Sequence, residues 1–541
     1  MQLDLTPSTL LKIFSAVLAA VLAYTTFPPL YLTPIIFIAF VPLLTALKDT
    51  SWKQAFKIGL LFGIVYFALL LWWLVPTIAR YGKIPIVFAW PIVGCLILYL
   101  AAYPAIWAAL SSIIINNPRG NQSFRIALLN FIAIPAIWVL LEWIRGHLLS
   151  GLPWGLAGCS LVGMPVFIQT ASILGIYWLS FIVLSINLLL FKAINSIPNY
   201  RQLISWGAMA IACICILWIY GHIAITSTIK QDRTFPSINA AAIQGDIQQD
   251  TKWSQTYQQN SIDQYRRLTT SAINHIKIKD QLAHKKTIKK IPLIVWPETA
   301  MPFFFNVQGI KQAQILDLAR ASHSLLLVGS IAYKIAPVTN GQGFRVMYFN
   351  SAFLISPTGK IVGQYNKQHL VPFGEYLPWG ILTSWARNLI GDIGAYTPGR
   401  QSNPLCWHNV KIGTLICFES IFPHIAVNFV NNGANVLAVI TDDAWFGNTS
   451  APYEHADMAV FRAVETRRWV IRAANTGESL IITPWGQKLK PTKLFKPCWI
   501  TDKIRLRTDK TLYDRIQDQW LWILVVIVAY TISWSIRTKR E

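Results

Sequence analysis

Long apolar runs separated by short polar loops make up the first 225 residues of the chain. An α-helix rises about 1.5 Å per residue, so a run of about 20 apolar residues can cross the hydrocarbon core of a bilayer. A further run of this kind, at residues 519–536, closes the chain. The pattern therefore predicts a polytopic α-helical membrane domain with eight transmembrane helices. The first seven are expected at 9–26, 30–47, 55–76, 85–114, 125–144, 165–191 and 204–224.

A different pattern fills residues 226–516. Short β-branched or aliphatic runs, such as 291–300, 411–420 and 435–443, stop abruptly at polar residues. Continuous apolar runs of this length are typical of strands buried on both faces. Helical spacing of apolar residues follows at 453–468. Alternating strands and helices predict a layered α/β domain whose active residues lie at strand ends.

The distribution of basic residues predicts the orientation of the chain. Ten Lys and Arg residues lie in one set of loops and three in the alternate set. The more basic loops of a membrane protein face the cytoplasm. We therefore expect 1–225 to hold seven transmembrane helices, 226–516 to be extracytoplasmic, and 517–541 to form the eighth helix and a cytoplasmic tail, with both termini cytoplasmic.

Composition agrees with a membrane protein, because 54% of the residues are hydrophobic and only 13% are charged, against about 25% charged in soluble domains. The net charge is +23. No nucleic-acid recognition motif accompanies this charge, so we expect no nucleic-acid partner. Attraction to anionic lipid headgroups and an ordinary solvated basic surface both account for it. The seven cysteines lack zinc-binding spacing, and a disulfide between Cys406 and Cys498 is left open.

Three residues of the α/β region can supply covalent chemistry together. Glu298 and Cys417 follow apolar runs, and Lys367 follows a strand and turn. A cysteine thiolate is nucleophilic, and a nearby glutamate can accept the thiol proton. A lysine about 4 Å away contributes about 4 kcal/mol at an effective dielectric constant of 20, which favours the thiolate. The same ammonium and the backbone N–H of Phe418 can stabilise a tetrahedral oxyanion.

The motifs around these residues occur in one order along the chain. They are WPETAMPF around Glu298, YNKQHLVPFGEYLP around Lys367 and ICFES around Cys417, followed by TDDAWFG and RAANTGES. This set resembles the nitrilase superfamily. Together with the membrane spans, and with EWIRGHLLSGLPW among them, the chain resembles the bacterial apolipoprotein N-acyltransferases over essentially its whole length.

The resemblance implies an αββα sandwich and a role for each of these residues. It implies Glu298 as proton acceptor, Lys367 as oxyanion stabiliser and Cys417 as acyl-accepting nucleophile. Supporting or substrate-binding positions are implied at Phe418, Glu375, Glu419 and Trp253. The family often has Tyr where this chain has Phe418 and Asn where it has Asp246, so a side-chain hydroxyl role at 418 is in doubt while backbone donation survives.

The resemblance also implies a reaction in the bacterial inner membrane, with the catalytic domain periplasmic. Cys417 is expected to take an acyl chain from a phospholipid as a thioester. The chain then passes to the α-amino group of the N-terminal diacylglyceryl-cysteine of an apolipoprotein, in ping-pong covalent catalysis. No metal or dissociable cofactor is implied.

Two other functions compete with this interpretation. A membrane-tethered nitrilase or amidase-type hydrolase would use the same three residues. A transporter would usually place polar residues within its spans, and here Glu142 and Arg145 are almost the only candidates. Two segments stay open: 277–291 is a basic connector, and 376–400 carries an apolar stripe typical of either a mobile lid or a face packed on the core.

Overall fold

The structure is a computed structural model that describes residues 7–119, 123–249, 252–282, 291–337, 343–377 and 396–540. The chain divides into two compact units. One, the helical unit, comprises Met1–Thr226 with Arg515–Glu541, and the other, the sheet unit, comprises Ser227–Asp514.

Long apolar helices form the helical unit. Seven helices of the described residues are long and apolar enough to cross a membrane, and the last of them runs over Leu512–Lys539. The helices are α1 (Pro7–Tyr24), α2 (Ile36–Ala39), α3 (Val41–Ala46), α4 (Trp52–Leu71), α5 (Leu74–Tyr81), α6 (Ile86–Ile115), α7 (Phe124–Arg145), α8 (Ala171–Asn195), α9 (Tyr200–Asp232), α14 (Leu512–Ile516) and α15 (Leu521–Arg540).

The second predicted span, 30–47, differs from the prediction of one long helix. It consists of a 3-10 turn at Thr33–Ile35 followed by α2 and α3. The apolar helical stretch covers only Thr33–Ala46, shorter than the roughly 17–25 residues of an ordinary spanning helix. The side chain of Asn187 in α8 takes the place of the helical hydrogen bond between the Phe40 N–H and the Ile36 carbonyl. It accepts from the Phe40 N–H at 2.9 Å and donates to the Ile36 carbonyl at 2.8 Å.

Two glycines let α4 and α6 approach closely. A Cβ atom at Gly59 would lie 2.5 Å from the Pro104 carbonyl oxygen, and one at Gly63 would lie 2.7 Å from the Cα of Ala101. Small residues four apart on one helix allow such backbone contact within a membrane, where packing rather than the hydrophobic effect holds helices together.

Two β-sheets form the core of the sheet unit. The strands are β1 (Ser237–Gln244), β2 (Leu293–Val295), β3 (Met301–Phe304), β4 (Leu325–Pro337), β5 (Phe344–Ile355), β6 (Ile361–Asn366), β7 (Leu405–Trp407), β8 (Val410–Ile416), β9 (Val436–Thr441), β10 (Val470–Ala474), β11 (Leu480–Ile482), β12 (Lys488–Leu489) and β13 (Cys498–Arg505). The first sheet has seven strands in the order β13-β1-β2-β4-β5-β6, with β3 also paired to β4. The second runs in the order β12-β11-β10-β9-β8-β7.

Helices cover both sheets. The first sheet packs on α10 (Gln255–Leu282), and α11 (Ile310–Ser322) packs on α10. The second sheet packs on α12 (Pro423–Asn431) and α13 (Ala451–Thr466). Strands of the two sheets also contact each other, as β1 does with β10. The predicted αββα sandwich is therefore confirmed.

Candidate active site

The ends of three strands place the predicted triad. Glu298 follows β2, Lys367 follows β6 and Cys417 follows β8. Strand β6 runs in the direction of β2 and β4, because β5 is antiparallel to both of its neighbours β4 and β6. The Lys367 Nζ lies 3.5 Å from Glu298 Oε1, and the Cys417 thiol interacts electrostatically with both residues. The structure thus brings Glu298, Lys367 and Cys417 together.

A second carboxylate, Glu375, completes this cluster. Its Oε2 lies 2.8 Å from the Lys367 Nζ and accepts from the Val371 N–H at 2.8 Å. The Nδ2 of Asn350 donates to Glu298 Oε1 at 2.7 Å and to Glu375 Oε1 at 2.9 Å. Asn350 was not predicted as a site residue. Its signal in the sequence is a polar side chain within the apolar run of β5.

Burial and neighbouring charges set the ionisation of Lys367 and Glu298. Burial alone would lower the pKa of Lys367, but Glu375 and Glu298 raise it above its ordinary value, so the side chain stays an ammonium. Burial raises the pKa of Glu298, and the charge of Glu375 adds to this, while Lys367 and Asn350 act in the opposite direction. A carboxylate with a raised pKa is suited to accept a proton from a thiol.

Cys417 occupies a sharp turn between β8 and a 3-10 helix, Cys417–Ile421. Its φ of 53° lies in the left-handed region, which non-glycine residues seldom adopt. Burial, followed by the charge of Glu298, raises the pKa of the thiol well above its ordinary value, and Lys367 only partly opposes this. Lys367 does favour the thiolate, as expected, but burial and the charge of Glu298 outweigh its effect. The two carboxylates, Glu298 and Glu375, carry more charge than the one ammonium between them.

Glu419 holds the Cys417 turn in place. Its Oε2 accepts from the Ile416 N–H at 2.8 Å. Its Oε1 accepts from the Tyr365 hydroxyl at 2.8 Å and from the N–H groups of Gln368 and His369 at 2.6 and 3.2 Å. Burial raises the pKa of Glu419 to about 7, against the effect of these donors. The carboxylate ties the Cys417 turn to the loop that follows Lys367.

The remaining predicted residues lie around this centre. The Phe418 ring packs on His369 and Phe422, with centroids 5.7 and 5.1 Å away. Trp253 is 43% exposed, and its ring lies 5.8 Å from the Nζ of Lys252. Asp246 adopts a φ of 54°, a conformation that Asp tolerates better than most residues.

A buried ion pair links the Trp253 loop to Glu298. The Nζ of Lys252 lies 2.5 Å from Asp442 Oδ2 and donates to Thr299 Oγ1 at 2.8 Å. The backbone N–H of Asp442 donates to Glu298 Oε2 at 3.0 Å. Lys252 and Asp442 were not predicted as site residues, although Asp442 lies in the TDDAWFG motif. Both charged side chains are buried, and this property, which marks them as part of the site, is visible only in the folded structure.

Three open questions from the sequence concern other segments. Cys406 in β7 and Cys498 in β13 are both free and belong to different sheets. Residues 283–290 of the basic connector lie outside the described residues. So do residues 378–395, which contain the apolar stripe of the 376–400 segment.

Comparisons with known proteins agree with this arrangement. Residues 19–189 match the model of the apolipoprotein N-acyltransferase N-terminal domain, and residues 239–504 match that of carbon-nitrogen hydrolases. The apolipoprotein N-acyltransferase of Geobacter metallireducens is 34% identical over 97% of this chain and 95% of the relative. The chain belongs to the apolipoprotein N-acyltransferase family. Another family member, from Rhodopseudomonas palustris, is 28% identical over 95% of this chain and 93% of its own length.

Solved structures of the nitrilase superfamily align with about half of the chain. Saccharomyces cerevisiae Nit3 is 17% identical, covers 50% of this chain and 90% of its own, and gives a TM-score of 0.35. An amidase from Nesterenkonia sp. is 17% identical, covers 53% of this chain and 95% of its own, and gives a TM-score of 0.36.

Proposed function

We propose that this protein transfers an acyl chain from a membrane phospholipid to the N-terminal diacylglyceryl-cysteine of apolipoproteins. The observation that carries the proposal is the cluster of Glu298, Lys367 and Glu375 beside Cys417, within a chain of the apolipoprotein N-acyltransferase family. Seven long apolar helices supply a membrane setting suited to lipid substrates.

In the first step the Cys417 sulfur attacks the ester carbonyl carbon of the phospholipid. Glu298 accepts the thiol proton during the attack, because the thiol is protonated at rest. The Lys367 ammonium and the Phe418 N–H stabilise the oxyanion. The tetrahedral intermediate collapses with loss of the lysophospholipid alkoxide, which takes the proton back from Glu298. A thioester at Cys417 remains.

In the second step the α-amino group of the apolipoprotein attacks the thioester carbonyl. Glu298 accepts a proton from the amine, and the C–S bond breaks to give an amide. The leaving thiolate takes this proton from Glu298, so the enzyme returns to its resting thiol and carboxylate. A hydrolase would use water in place of the amine, and the two functions share every residue named here.

The test follows the acyl group itself. Purified protein incubated with phospholipid should gain the mass of one acyl chain on Cys417, and adding a diacylglyceryl-cysteine peptide should move that mass to the peptide α-amine. Cys417→Ser should remove both products, because a carboxylate base activates a serine hydroxyl far less than a thiol. Cys406→Ser, at an exposed cysteine, is the matched control and should behave as wild type. Release of free fatty acid with no peptide acylation would favour the hydrolase.

We further propose that residues 226–516 lie on the outer side of the bacterial inner membrane and that both termini are cytoplasmic. The loop charges support this orientation. It requires the short Thr33–Ala46 stretch to pass from one side of the membrane to the other.

In a background without native cysteines, an impermeant thiol reagent should therefore label Leu30→Cys and Lys279→Cys from outside. Asp49→Cys and Lys539→Cys should react only after the inner membrane is opened. Outside labelling of Asp49→Cys would refute the passage of this stretch.

A further inference from the structure

A buried Asp–His–Ser series lies directly behind the nucleophile turn. Asp443 Oδ1 is 3.0 Å from His455 Nδ1, and His455 Nε2 is 3.0 Å from Ser420 Oγ. The order is that of a hydrolase triad. Ser420, however, is fully buried, and its hydroxyl donates to the Cys417 carbonyl at 2.8 Å. The series therefore ends on the backbone of the nucleophile and not on a second nucleophile.

Two side chains, Ser420 and His455, contact the Cys417 carbonyl oxygen. His455 Nε2 also lies 3.1 Å from this oxygen. A carbonyl oxygen can only accept, so Nε2 donates in this hydrogen bond. A planar trans peptide holds the Cys417 carbonyl and the Phe418 N–H in one rigid unit, pointing in opposite directions. Fixing the carbonyl oxygen therefore fixes the direction of the Phe418 N–H.

We propose that His455 and Ser420 are positioning residues that aim the Phe418 N–H at the oxyanion by holding the Cys417 carbonyl. The left-handed φ of Cys417 makes such support necessary, because a strained residue keeps its conformation only when its surroundings hold it there. This inference rests on the proposed acyl transfer, in which an oxyanion forms twice.

The support behind His455 is rigid and charged. Arg472 Nη2 lies 2.8 Å from Asp443 Oδ2, and the Thr441 hydroxyl donates to Asp443 Oδ1 at 2.8 Å. Burial alone would raise the pKa of Asp443, but Arg472 and His455 hold it well below its usual range. Asp443 thus remains a carboxylate that anchors the imidazole between β9, β10 and α13.

Two reactions of Cys417 separate positioning from a general structural role. Thioester formation passes through an oxyanion, whereas alkylation by iodoacetamide is a displacement at carbon that forms none. Both need the thiol proton removed. His455→Ala should slow thioester formation about 100-fold, the effect of losing an oxyanion donor, and leave alkylation of the Cys417 peptide close to wild type. His455→Gln, which keeps an N–H donor, should recover most of the acylation rate. Ser420→Ala should also slow thioester formation without slowing alkylation, by a smaller factor than His455→Ala.

Glu298→Gln is the matched control, because loss of the base should slow both reactions. Equal slowing of acylation and alkylation in both His455→Ala and Ser420→Ala would overturn the inference, and so would normal acylation in both. Absence of a thioester in the wild-type protein would instead refute the proposed function, so the two failures are distinguishable.

Discussion

Replacing Lys367 by Met tests the electrostatic balance of the site. The side chain is 1% exposed and lies between two carboxylates, Glu298 at 3.5 Å and Glu375 at 2.8 Å. Met keeps most of the side-chain volume and removes the charge. Two buried carboxylates then share the Asn350 amide with no cation between them. We expect Glu298 to hold a proton at neutral pH, which disables it as a base.

The distance gives the size of this effect. At an effective dielectric constant of 20, charges 3.5 Å apart interact with about 5 kcal/mol. Each 1.36 kcal/mol corresponds to about tenfold in rate, so this interaction alone accounts for about a thousandfold. Loss of the cation at the oxyanion adds to it. Thioester formation in Lys367→Met should therefore fall by about a thousandfold at a pH at or below the wild-type pKa of Glu298, and by less at higher pH.

Single-turnover acylation followed by intact mass at several pH values measures this loss. A base acts only when it is deprotonated, so the residual rate of Lys367→Met should rise with pH through the raised pKa of Glu298. Glu298→Gln has no carboxylate to deprotonate and should show no such rise. Acylation by Lys367→Met within about tenfold of wild type at neutral pH would refute the reasoning.

The double variant Lys367→Met, Glu375→Gln separates the two roles of the lysine. It removes one carboxylate with the cation, so the net charge of the cluster returns to that of the wild type. Glu298 should again be a base at neutral pH, and the upward trend of rate with pH should weaken. The loss of oxyanion stabilisation should persist. Recovery of the full wild-type rate would show that Lys367 acts only on the base.

Two further predictions concern the other glutamates. Glu298→Gln should slow thioester formation about 10²- to 10⁴-fold, because the amide cannot accept the thiol proton, and a normal single-turnover rate would exclude this role. Glu419→Gln should destabilise the sheet unit by about 2–4 kcal/mol, because an amide NH2 would face a buried N–H donor. Thermal unfolding measures this, with Asp263→Asn in the exposed pair with Arg266 as a control expected to cost under about 1 kcal/mol.

Hydrophobic periodicity was sufficient to predict most of the fold. Apolar runs predicted strands in both sheets, among them β2, β8 and β9, and the long helices, because burial acts on every residue of such an element. The stretch 30–47 was an exception. Its break coincides with Pro42 near the start of α3, which lacks an N–H, and with hydrogen bonds to Asn187, a residue 147 positions from Phe40. An interaction over that separation leaves no mark on local periodicity.

The triad could be predicted because its members follow strands within distinctive motifs. Asn350 and Asp442 could not, since their roles depend on the direction of a side chain and of a backbone N–H. The raised pKa of the Cys417 thiol was also not predicted. Lys367 and Cys417 were considered as an isolated pair, whereas the ammonium also interacts with Glu298 and Glu375.

The three glutamates of the site differ in what surrounds them. Glu419 accepts from four donors, which occupy both of its oxygens. Glu375 is held by Lys367, Asn350 and the Val371 N–H. Glu298 accepts one short hydrogen bond from Asn350 and one from the Asp442 N–H, with Lys367 farther away at 3.5 Å. Glu298 also interacts electrostatically with the Cys417 thiol. Its position beside the thiol, with an oxygen not fully occupied by strong donors, therefore supports Glu298 as the proposed base.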